Sequence, residues 1–379
     1  MSDAGTDQRM HDVIIVGAGP AGIGVAVALR EVGVDNILVL DRHEVGASFK
    51  RWPREMRFIT PSFTSNAFGL LDLNAIVAGT SPAYTLDQEH PSGEAYAAYL
   101  ATVAEHFEVP VQAGINVRML LPQPDGTFEV QTDERRIRAQ HVIWAAGEFQ
   151  YPSRLPFPGA EHCRHNADVT AWADLEGDRF TVIGGYESAI DAAVALARHQ
   201  RSVTVLSRTP TWDNDHPDPS ISLSPFTRER LAWAVESGMV DLVGDAGVTG
   251  VAECEAGYAV TAADGRFWES PTKPIIATGF VGSLGYLDGL VERDDEGALV
   301  LSEEADESTL VPGLFVVGSQ LVHRGVRFCF IYKFRQRFGI VAAAIAERLG
   351  HETEEAIAAW RSAGMYLDDL SCCEESCAC

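Results

Sequence analysis

Residues 13–22 read Val-Ile-Ile-Val-Gly-Ala-Gly-Pro-Ala-Gly, an apolar run that leads into glycines in the spacing Gly-x-Gly-x-x-Gly. The run Val13 to Val16 predicts a buried parallel strand, and the small residues Ala21 to Leu29 predict the helix that follows it. The apolar run Ile37 to Leu40 predicts a second strand. Together these elements form a right-handed βαβ unit, the context in which this glycine spacing is specific for a dinucleotide.

Each glycine of the first loop meets a different geometric demand. Gly17 allows the tight turn, Gly19 lets the backbone approach a pyrophosphate, and Gly22 lets the helix pack on the strand. The helix N-terminus offers N–H donors to the phosphates. Asp41 ends the second strand, where a carboxylate accepts hydrogen bonds from a ribose diol. The alternative, a glycine turn in an unrelated α/β protein, leaves this register unexplained.

A second βαβ unit repeats the first. Its strands are predicted from Phe180 to Ile183 and from Ser202 to Leu206, with a helix from Ser188 to Arg198 between them. Its loop reads Gly184-Gly-Tyr-Glu-Ser-Ala189, so Tyr186 stands where the second glycine normally lies. The tyrosine could gate cofactor entry or shift the phosphates toward Glu187 and Ser188. The domain could also have lost nucleotide binding.

Ser207 and Arg208 follow the second strand of this repeat, where an NAD-selective site more often carries an acid. These side chains can hydrogen-bond a 2′-phosphate, which favours NADPH over NADH. An exposed arginine without such a role is the alternative.

The chain has 379 residues, of which 46% are hydrophobic, so it can hold two or three domains with their own cores. The formal net charge of −25 disfavours nucleic acid or an anionic membrane as the main partner, because phosphate binding needs clustered Lys and Arg. Residues 1–11 are polar, and no apolar run reaches the roughly 18 residues of a membrane span. We therefore expect a cytoplasmic protein that has no membrane as a partner.

The rest of the chain carries weaker signals. A helix is predicted from Glu94 to Phe107, and residues 210–230, which include four prolines, are predicted as a loop. Further strands are predicted over Phe128 to Gln131, Ile137 to Ala145, Pro274 to Ala277 and Leu314 to Val317, and an apolar helix over Phe334 to Leu349.

The two glycine loops and the returning segment Gly313-Leu-Phe-Val-Val-Gly-Ser319 resemble the flavoproteins that have two dinucleotide-binding domains. This family includes thioredoxin reductase-like enzymes and class B flavin monooxygenases. The resemblance implies an α/β fold with two Rossmann-like three-layer domains, in which an NADPH domain is inserted into a split FAD domain. The implied ranges are 1–160 and 281–352 for FAD, 161–280 for NAD(P)H, and 353–379 for a C-terminal helix and a cysteine-rich tail.

The resemblance also implies which residues contact the cofactors. For the nicotinamide cofactor they are Gly184, Tyr186, Glu187, Ser188, Ser207 and Arg208. For FAD and its crossing strands they are Gly17, Gly19, Pro20, Ala21, Gly22, Asp41, Arg42, Ser48, Phe49, Trp52, Val117, Ala145, Gly147, Ala277, Thr278, Gly279, Gly318 and Ser319. The family's usual aspartate after Gly318 is Ser319 here, which leaves the contact to the ribityl chain open.

The branch of the family is a separate question. No Cys-x-x-Cys pair occurs in residues 1–371, and Ala21 occupies the position of a cysteine in bacillithiol reductase-like loops. The stretches 46–52 and 147–159 resemble flavin monooxygenases, among them the monooxygenase-like proteins that are sometimes encoded in bacterial arsenic-resistance operons. The leading hypothesis is an NADPH-dependent FAD monooxygenase that acts on a small soft nucleophile containing sulfur, nitrogen or arsenic.

Three side chains are candidates for chemistry near the flavin. The segment from His323 to Lys333 is predicted to begin the last helix, whose N-terminus in this family faces the flavin and would stabilise its anionic reduced form. This places Cys329 and His323 near the ring, and His90 is a further candidate. An inert core cysteine and structural histidines are the alternatives.

The tail Ser371-Cys-Cys-Glu-Glu-Ser-Cys-Ala-Cys379 offers four soft ligands: Cys372, Cys373, Cys377 and Cys379. They could bind a thiophilic ion such as Zn, Cu(I) or As(III), carry electrons outward in a thiol or disulfide reductase, or have no role. A redox or metal sensor without turnover is a third hypothesis. The sequence leaves the substrate and oligomeric state open, with a homodimer among the alternatives.

Overall fold

The computed structural model of the chain describes residues 6–63 and 71–371. The strands of its largest sheet come from residues 6–144 and, much later in the chain, from residues 314–316. The strands are β1 (Thr6–Val16), β2 (Ile37–Asp41), β3 (Val111–Ala113), β4 (Val117–Pro122), β5 (Phe128–Thr132), β6 (Arg136–Trp144) and β17 (Leu314–Val316). The order is β3-β2-β1-β6-β5-β4, and β17 pairs with β6. The first half of β6 pairs with antiparallel β5 and its last three residues with parallel β17.

A second sheet uses strands that lie in the chain between β6 and β17. They are β7 (Arg164–His165), β8 (Arg179–Ile183), β9 (Ser202–Leu206), β10 (Val240–Val243) and β14 (Ile275–Ile276). The order β10-β9-β8-β14-β7 is parallel throughout. The antiparallel strands β11 (Val248–Cys254), β12 (Gly257–Ala262) and β13 (Phe267–Ser270) form a third sheet. The strands of the second and third sheets all lie in the chain between β6 and β17, which pair in the first sheet. The second domain is therefore inserted into the first.

Helices complete the layers. They are α1 (Pro20–Glu31), α2 (Ala47–Lys50), α3 (Pro82–Leu86), α4 (Gly93–His106), α5 (Glu187–Arg198), α6 (Pro225–Glu236), α7 (Ile331–Phe334), α8 (Phe338–Arg348) and α9 (Glu354–Ser362). Helix α1 packs against α4 and α8, and α5 packs against α6. Short hairpins are formed by β15 (Glu292–Arg293) with β16 (Leu299–Val300) and by β18 (Val322–His323) with β19 (Val326–Arg327). None of the helices within the described ranges has the length and apolar character to cross a bilayer.

The cores follow from the apolar runs in the sequence. Val13, Ile14 and Ile15 are fully buried in the core of the first domain, as a strand covered on both faces requires. In the second domain Val182 belongs to the core under α5, whereas its neighbour Ile183 belongs to the core against the three-stranded sheet. Alternate side chains thus fill opposite faces, and the predicted two-domain, three-layer α/β class is confirmed.

The predicted loop over residues 210–230 is wrong at its C-terminal end, because α6 begins at Pro225. The Ser224 hydroxyl accepts a hydrogen bond from the backbone N–H of Thr227 at 3.2 Å, and proline is favoured at the first helical position. The cluster of prolines predicts a loop up to residue 230, whereas the last of them, Pro225, starts a helix.

The prediction that residues 323–333 begin the last helix is correct only from Ile331 onward. Arg324 (φ 49°) and Gly325 (φ 81°) form the tight turn of the β18–β19 hairpin, and the helix starts only at α7. The apolar helix predicted over 334–349 is interrupted at residues 335–337. There the Arg335 guanidinium donates to the carbonyl oxygens of Asp72 and Ala75, and the interruption brings its side chain into the core.

Candidate active site

A cavity of about 340 Å³ lies at the carboxyl ends of β1, β2, β6 and β17. This edge is where ligands bind in open parallel sheets. We call it the inner cavity. Residues from the segments 17–21, 46–60, 145–150, 317–319 and 329–334 contribute to its walls, together with Asp41, Asn74, Glu187, Ser188, Asp191 and Phe280. Segments far apart in the sequence therefore converge on one space.

The first glycine loop has the geometry of a dinucleotide cradle. Gly17 has φ +110°, and a Cβ there would lie 2.4 Å from the Ala145 carbonyl oxygen. A Cβ on Gly22 would lie 1.8 Å from the Gly17 oxygen, so helix and strand are in close contact. A Cβ on Gly19 would meet nothing within 4 Å, and no side chain caps the start of α1. The loop thus leaves room and backbone donors for a pyrophosphate.

Asp41 lies on the wall of the inner cavity. Its carboxylate accepts one hydrogen bond on each oxygen, from the backbone N–H groups of Ala18 and His43, both at 2.8 Å. Each oxygen keeps a further lone pair for a ribose hydroxyl. Neighbouring Arg42 is not part of the wall, because its Nε donates to the Gln150 side chain at 2.8 Å.

Aromatic side chains form one wall of the inner cavity. Phe49 stacks on Phe58 at 5.5 Å between ring centroids, and Phe149 packs on Phe280 at 5.2 Å. Trp52 contacts members of both pairs. Of these residues only Phe49 and Trp52 were predicted. A usable signal for two others was their position beside glycine turns, since Phe149 follows Gly147 and Phe280 follows Gly279.

A carboxyl group missed by the sequence prediction lies beside Ser319. The Ser319 hydroxyl donates to Glu148 Oε1 at 3.4 Å, and both residues line the inner cavity. Burial raises the pKa of Glu148 above its ordinary value, and the hydrogen bond from Ser319 opposes this effect. The structure therefore places a carboxyl group from the end of β6 near the position where the family motif carries an aspartate.

Cys329 lines the inner cavity two residues before α7. Burial raises the pKa of its thiol, while the Ser220 hydroxyl and the Lys333 ammonium act in the opposite direction. The other cysteines in the described ranges, Cys163 and Cys254, lie in the second domain and do not line this cavity. Cys329 is thus the thiol that the structure brings to the first glycine loop.

The two candidate histidines do not line the inner cavity. His323 is buried, and its Nε2 lies 2.6 Å from the Asp306 carboxylate, which also pairs with Arg337. His90 Nδ1 lies 2.7 Å from the Phe58 carbonyl oxygen, and its ring stacks on Phe226 at 3.7 Å. These contacts are typical of histidines that stabilise the fold. Val117, a further predicted contact, is buried on β4 away from the wall.

The second glycine loop keeps its turn but is covered by the loop of residues 214–224. Gly184 has φ +131°, and a Cβ there would lie 2.4 Å from the Ala277 carbonyl oxygen. The Tyr186 hydroxyl donates to the carbonyl oxygens of Ser222, at 3.0 Å, and Pro219. The tyrosine side chain therefore points at the 214–224 loop.

Glu187 fixes the same loop from the first turn of α5. Its carboxylate accepts hydrogen bonds from the Ser224 N–H at 2.6 Å and the Thr227 hydroxyl at 2.5 Å. Burial raises the pKa of Glu187, and these hydrogen bonds counteract it. Glu187 and Ser188 also line the inner cavity, so the first turn of α5 faces the same space as Gly19.

The remaining predicted residues surround the second loop without lining the inner cavity. The Ser207 hydroxyl donates to the Thr209 carbonyl oxygen at 2.5 Å, and Arg208 beside it is exposed. Thr278 donates to the Ser153 carbonyl oxygen at 3.4 Å, next to Ala277 and Gly279 at the end of β14. The tail cysteines Cys372, Cys373, Cys377 and Cys379 lie outside the described residues. No group of three potential metal ligands occurs in ranges 6–63 and 71–371.

Comparison with known proteins finds relatives among the oxidoreductases that use a pyridine nucleotide. Residues 14–318 match the family model described as pyridine nucleotide-disulphide oxidoreductase. Bacilliredoxin reductase Bdr of Bacillus subtilis (strain 168) is 24% identical over 348 residues, which cover 89% of this chain and 98% of the relative.

Solved structures share the fold. The bacillithiol disulfide reductase Bdr (YpdA) from Staphylococcus aureus superimposes with a TM-score of 0.73 at 20% identity, covering 90% of this chain and 99% of that chain. A flavin-containing monooxygenase from Stenotrophomonas maltophilia gives 0.66 at 18% identity, covering 90% and 100%.

Proposed function

The chain belongs to the pyridine nucleotide-disulphide oxidoreductase family, and we propose that it uses NADPH to reduce a small disulfide at Cys329. It is an FAD-dependent oxidoreductase that uses a pyridine nucleotide. The observation that carries the proposal is that the Cys329 thiol and the first glycine loop line one cavity. The similarity to a bacilliredoxin reductase supports it.

The cofactors have residues that fit them. Gly17, Gly19 and Asp41 would hold the pyrophosphate and ribose of FAD, and the first turn of α5 would receive the nicotinamide cofactor. When bound, FAD supplies a two-electron relay between NADPH and the substrate. The aromatic wall excludes water from the space that the reacting groups share.

The chain's own chemistry is thiol–disulfide exchange. The Cys329 sulfur, after losing its proton, attacks one sulfur of the substrate, breaks the S–S bond and releases one thiolate. Two electrons and two protons then cleave the mixed disulfide. This step releases the second thiol and restores the Cys329 thiol. The balance is NADPH + H⁺ + RSSR → NADP⁺ + 2 RSH. The Lys333 charge favours the thiolate that begins this sequence.

Replacement of the thiol tests the proposal. We expect Cys329→Ser to abolish multiple-turnover NADPH oxidation with 2,2′-dithiodipyridine under nitrogen, while NADPH still bleaches the flavin absorbance. Cys254→Ser, at an exposed cysteine on β11, is the matched control and should behave as the wild type. A truncated chain that ends at Ser371 tests whether the tail cysteines are needed. Undiminished turnover in Cys329→Ser would contradict the proposal.

A second candidate is the monooxygenation of a soft nucleophile containing sulfur, nitrogen or arsenic. Burial, which raises the pKa of Cys329 and keeps it protonated, favours this function, as does the aromatic wall. NADPH oxidation that consumes oxygen, stops under nitrogen and is unchanged in Cys329→Ser would support the second candidate over the first.

We also propose that NADPH is preferred over NADH. Arg208 is exposed after β9 and can meet a 2′-phosphate. Because a hydrogen bond to a charged group contributes about 1.5–3 kcal/mol, Arg208→Ala should raise the KM for NADPH by about tenfold or more. The KM for NADH should not change. Arg179→Ala, at an exposed arginine that begins β8, is the control.

A further inference from the structure

A larger cavity of about 1070 Å³ adjoins the inner one, and we call it the outer cavity. It lies between the β18–β19 hairpin, α7 and the 214–224 loop. Ile59, Thr60 and Phe330 line both cavities. The two cavities therefore share part of their walls, and the shared Phe330 follows Cys329 in the chain.

The outer cavity is basic although the chain has a net charge of −25. Arg324, Arg327 and Lys333 line it, whereas Asp218 is the acidic residue among the lining residues that the structure describes. Lys333 pairs with Asp218 at 3.1 Å, and Arg324 pairs with Glu303 at 2.8 Å.

Arg327 differs from these two cations. It is exposed on β19, and its side chain has no hydrogen bond or ion pair with any residue in the described part of the chain. A guanidinium offers a planar fork of donors that matches a carboxylate. Arg327 is thus a cation in the wall of the outer cavity that no carboxylate of residues 6–63 or 71–371 neutralises.

The rest of the wall is largely apolar and aromatic. Phe330 and Tyr332 stack at 5.5 Å with 13° between their planes, and Phe328 is buried beside them. Pro217 and Pro219 contribute rigid apolar surface from the opposite loop. This combination suits a ligand with an apolar body and a carboxylate at one end.

We propose that the outer cavity binds the disulfide substrate through a carboxylate, which pairs with Arg327 while the apolar body lies on Phe330 and Tyr332. The substrate class is then a carboxylate-bearing small disulfide, one of whose sulfurs reaches Cys329. This inference rests on the proposed function.

The ratio of the kcat/KM values for two disulfide substrates tests this inference. The probes are 5,5′-dithiobis(2-nitrobenzoate), which carries carboxylates, and neutral 2,2′-dithiodipyridine. We expect Arg327→Gln to lower the ratio of kcat/KM for the anionic over the neutral disulfide by about tenfold or more, because a charge-assisted hydrogen bond is lost. Arg327→Lys should recover part of the ratio, and Arg179→Gln should leave it unchanged. An unchanged ratio in Arg327→Gln would overturn the inference.

A binding measurement separates this inference from the proposed function. The probe is 2-nitrobenzoate, which cannot be reduced by thiol exchange, titrated by calorimetry into wild type and Arg327→Gln. Binding to the wild type that weakens at least about tenfold in the variant supports the site, even if neither disulfide is turned over and the proposed function fails. Equal binding to both proteins, or no binding to the wild type, overturns it.

Discussion

Lys333 Nζ lies 3.1 Å from Asp218 Oδ2, and this ion pair joins α7 of the first domain to the 214–224 loop of the second. Both side chains are largely buried, with 13% and 21% of their surface exposed. The same ammonium donates to the Ser220 hydroxyl at 3.2 Å, and its charge opposes the rise in the pKa of Cys329 that burial causes. One lysine therefore connects the reactive thiol with the loop that covers α5.

Asp218→Asn should destabilise the protein because it leaves the Lys333 charge without its partner. Burial alone would raise the pKa of Asp218, but hydrogen bonds from Ser220 and Lys333 hold it below its ordinary value of 3.8. The stability that the charged Asp218 carboxylate contributes is thus present above pH 3.8. It is lost as the pH falls through the lower pKa that Asp218 has in the folded state.

At pH 7 we expect a loss of about 1–2 kcal/mol in the free energy of unfolding, or about 1–3 °C in Tm for a chain of this length. Thermal unfolding at pH 7 and at stepwise lower pH measures this, and the difference between variant and wild type should shrink with acidity. Asp368→Asn is the control, because its pair with Arg361 is about half exposed and should contribute less than about 1 kcal/mol. A variant as stable as the wild type at pH 7 would show that the pair does not stabilise the interface.

The reactivity of Cys329 should rise with pH. Burial raises the pKa of its thiol above the ordinary 9.0, so little thiolate is present at neutral pH. Because the thiolate is the nucleophile, alkylation by iodoacetamide should accelerate by about tenfold per pH unit below this pKa. Mass spectrometry of the peptide that contains Cys329, between pH 7 and 10, gives the rate.

Lys333→Met should move this profile to higher pH, because the variant lacks the charge that favours the thiolate. Its rate at pH 8 should therefore be lower than that of the wild type. A rate that is independent of pH, or faster in the variant, would contradict the role given to Lys333.

The sequence predicted those parts of the fold whose structure is determined by residues that are neighbours in the chain. Buried runs such as Val13 to Val16 and turns such as Gly17 need only their own residues to be recognised. The helix start at Pro225 and the hairpin at Gly325 were missed because proline and glycine each have two common uses, which only the surrounding contacts distinguish.

The candidate site was harder to predict because its members come together through the fold. Tyr186 reads as a missing glycine in the sequence, and its hydrogen-bond acceptors at Pro219 and Ser222 lie more than thirty residues away. His323 reads as a possible catalytic group, yet its contact with the Asp306 carboxylate makes it part of a buried hydrogen-bonded cluster. Spacing alone does not reveal such partners.

Glu148 should contribute to FAD binding in place of the missing aspartate after Gly318. Its carboxyl group lies beside Ser319 on the wall of the inner cavity. Since a hydrogen bond to a charged group contributes about 1.5–3 kcal/mol, Glu148→Gln should weaken FAD binding by about tenfold or more. Fluorescence titration of the apoprotein with FAD measures this directly.

The double variant Glu148→Gln with Ser319→Asp is the informative control. It moves the carboxylate back to the position of the family motif and should recover most of the lost affinity. Ser319→Asp alone should bind FAD less tightly than the wild type, because two neighbouring carboxylates repel each other. Equal FAD affinity in Glu148→Gln and wild type would exclude this role.

The glycines of the first loop should separate FAD binding from folding. A Cβ on Gly22 would lie 1.8 Å from the Gly17 oxygen, so Gly22→Ala should lower both the stability of the apoprotein and its FAD affinity. A Cβ on Gly19 meets no protein atom within 4 Å, so Gly19→Ala should leave the Tm of the apoprotein unchanged. It should still weaken FAD binding by about tenfold or more, because the methyl group occupies the space of the pyrophosphate.

Gly285→Ala is the matched control for Gly19→Ala, because its Cβ also meets open space but faces neither cavity. Thermal unfolding of the apoproteins measures the stability of the variants, and titration with FAD measures their FAD affinity. The two measurements should therefore rank the variants differently. Stability should fall only in Gly22→Ala, and FAD affinity should fall in Gly22→Ala and Gly19→Ala but not in Gly285→Ala. If Gly19→Ala binds FAD as tightly as Gly285→Ala does, the pyrophosphate does not lie on this loop.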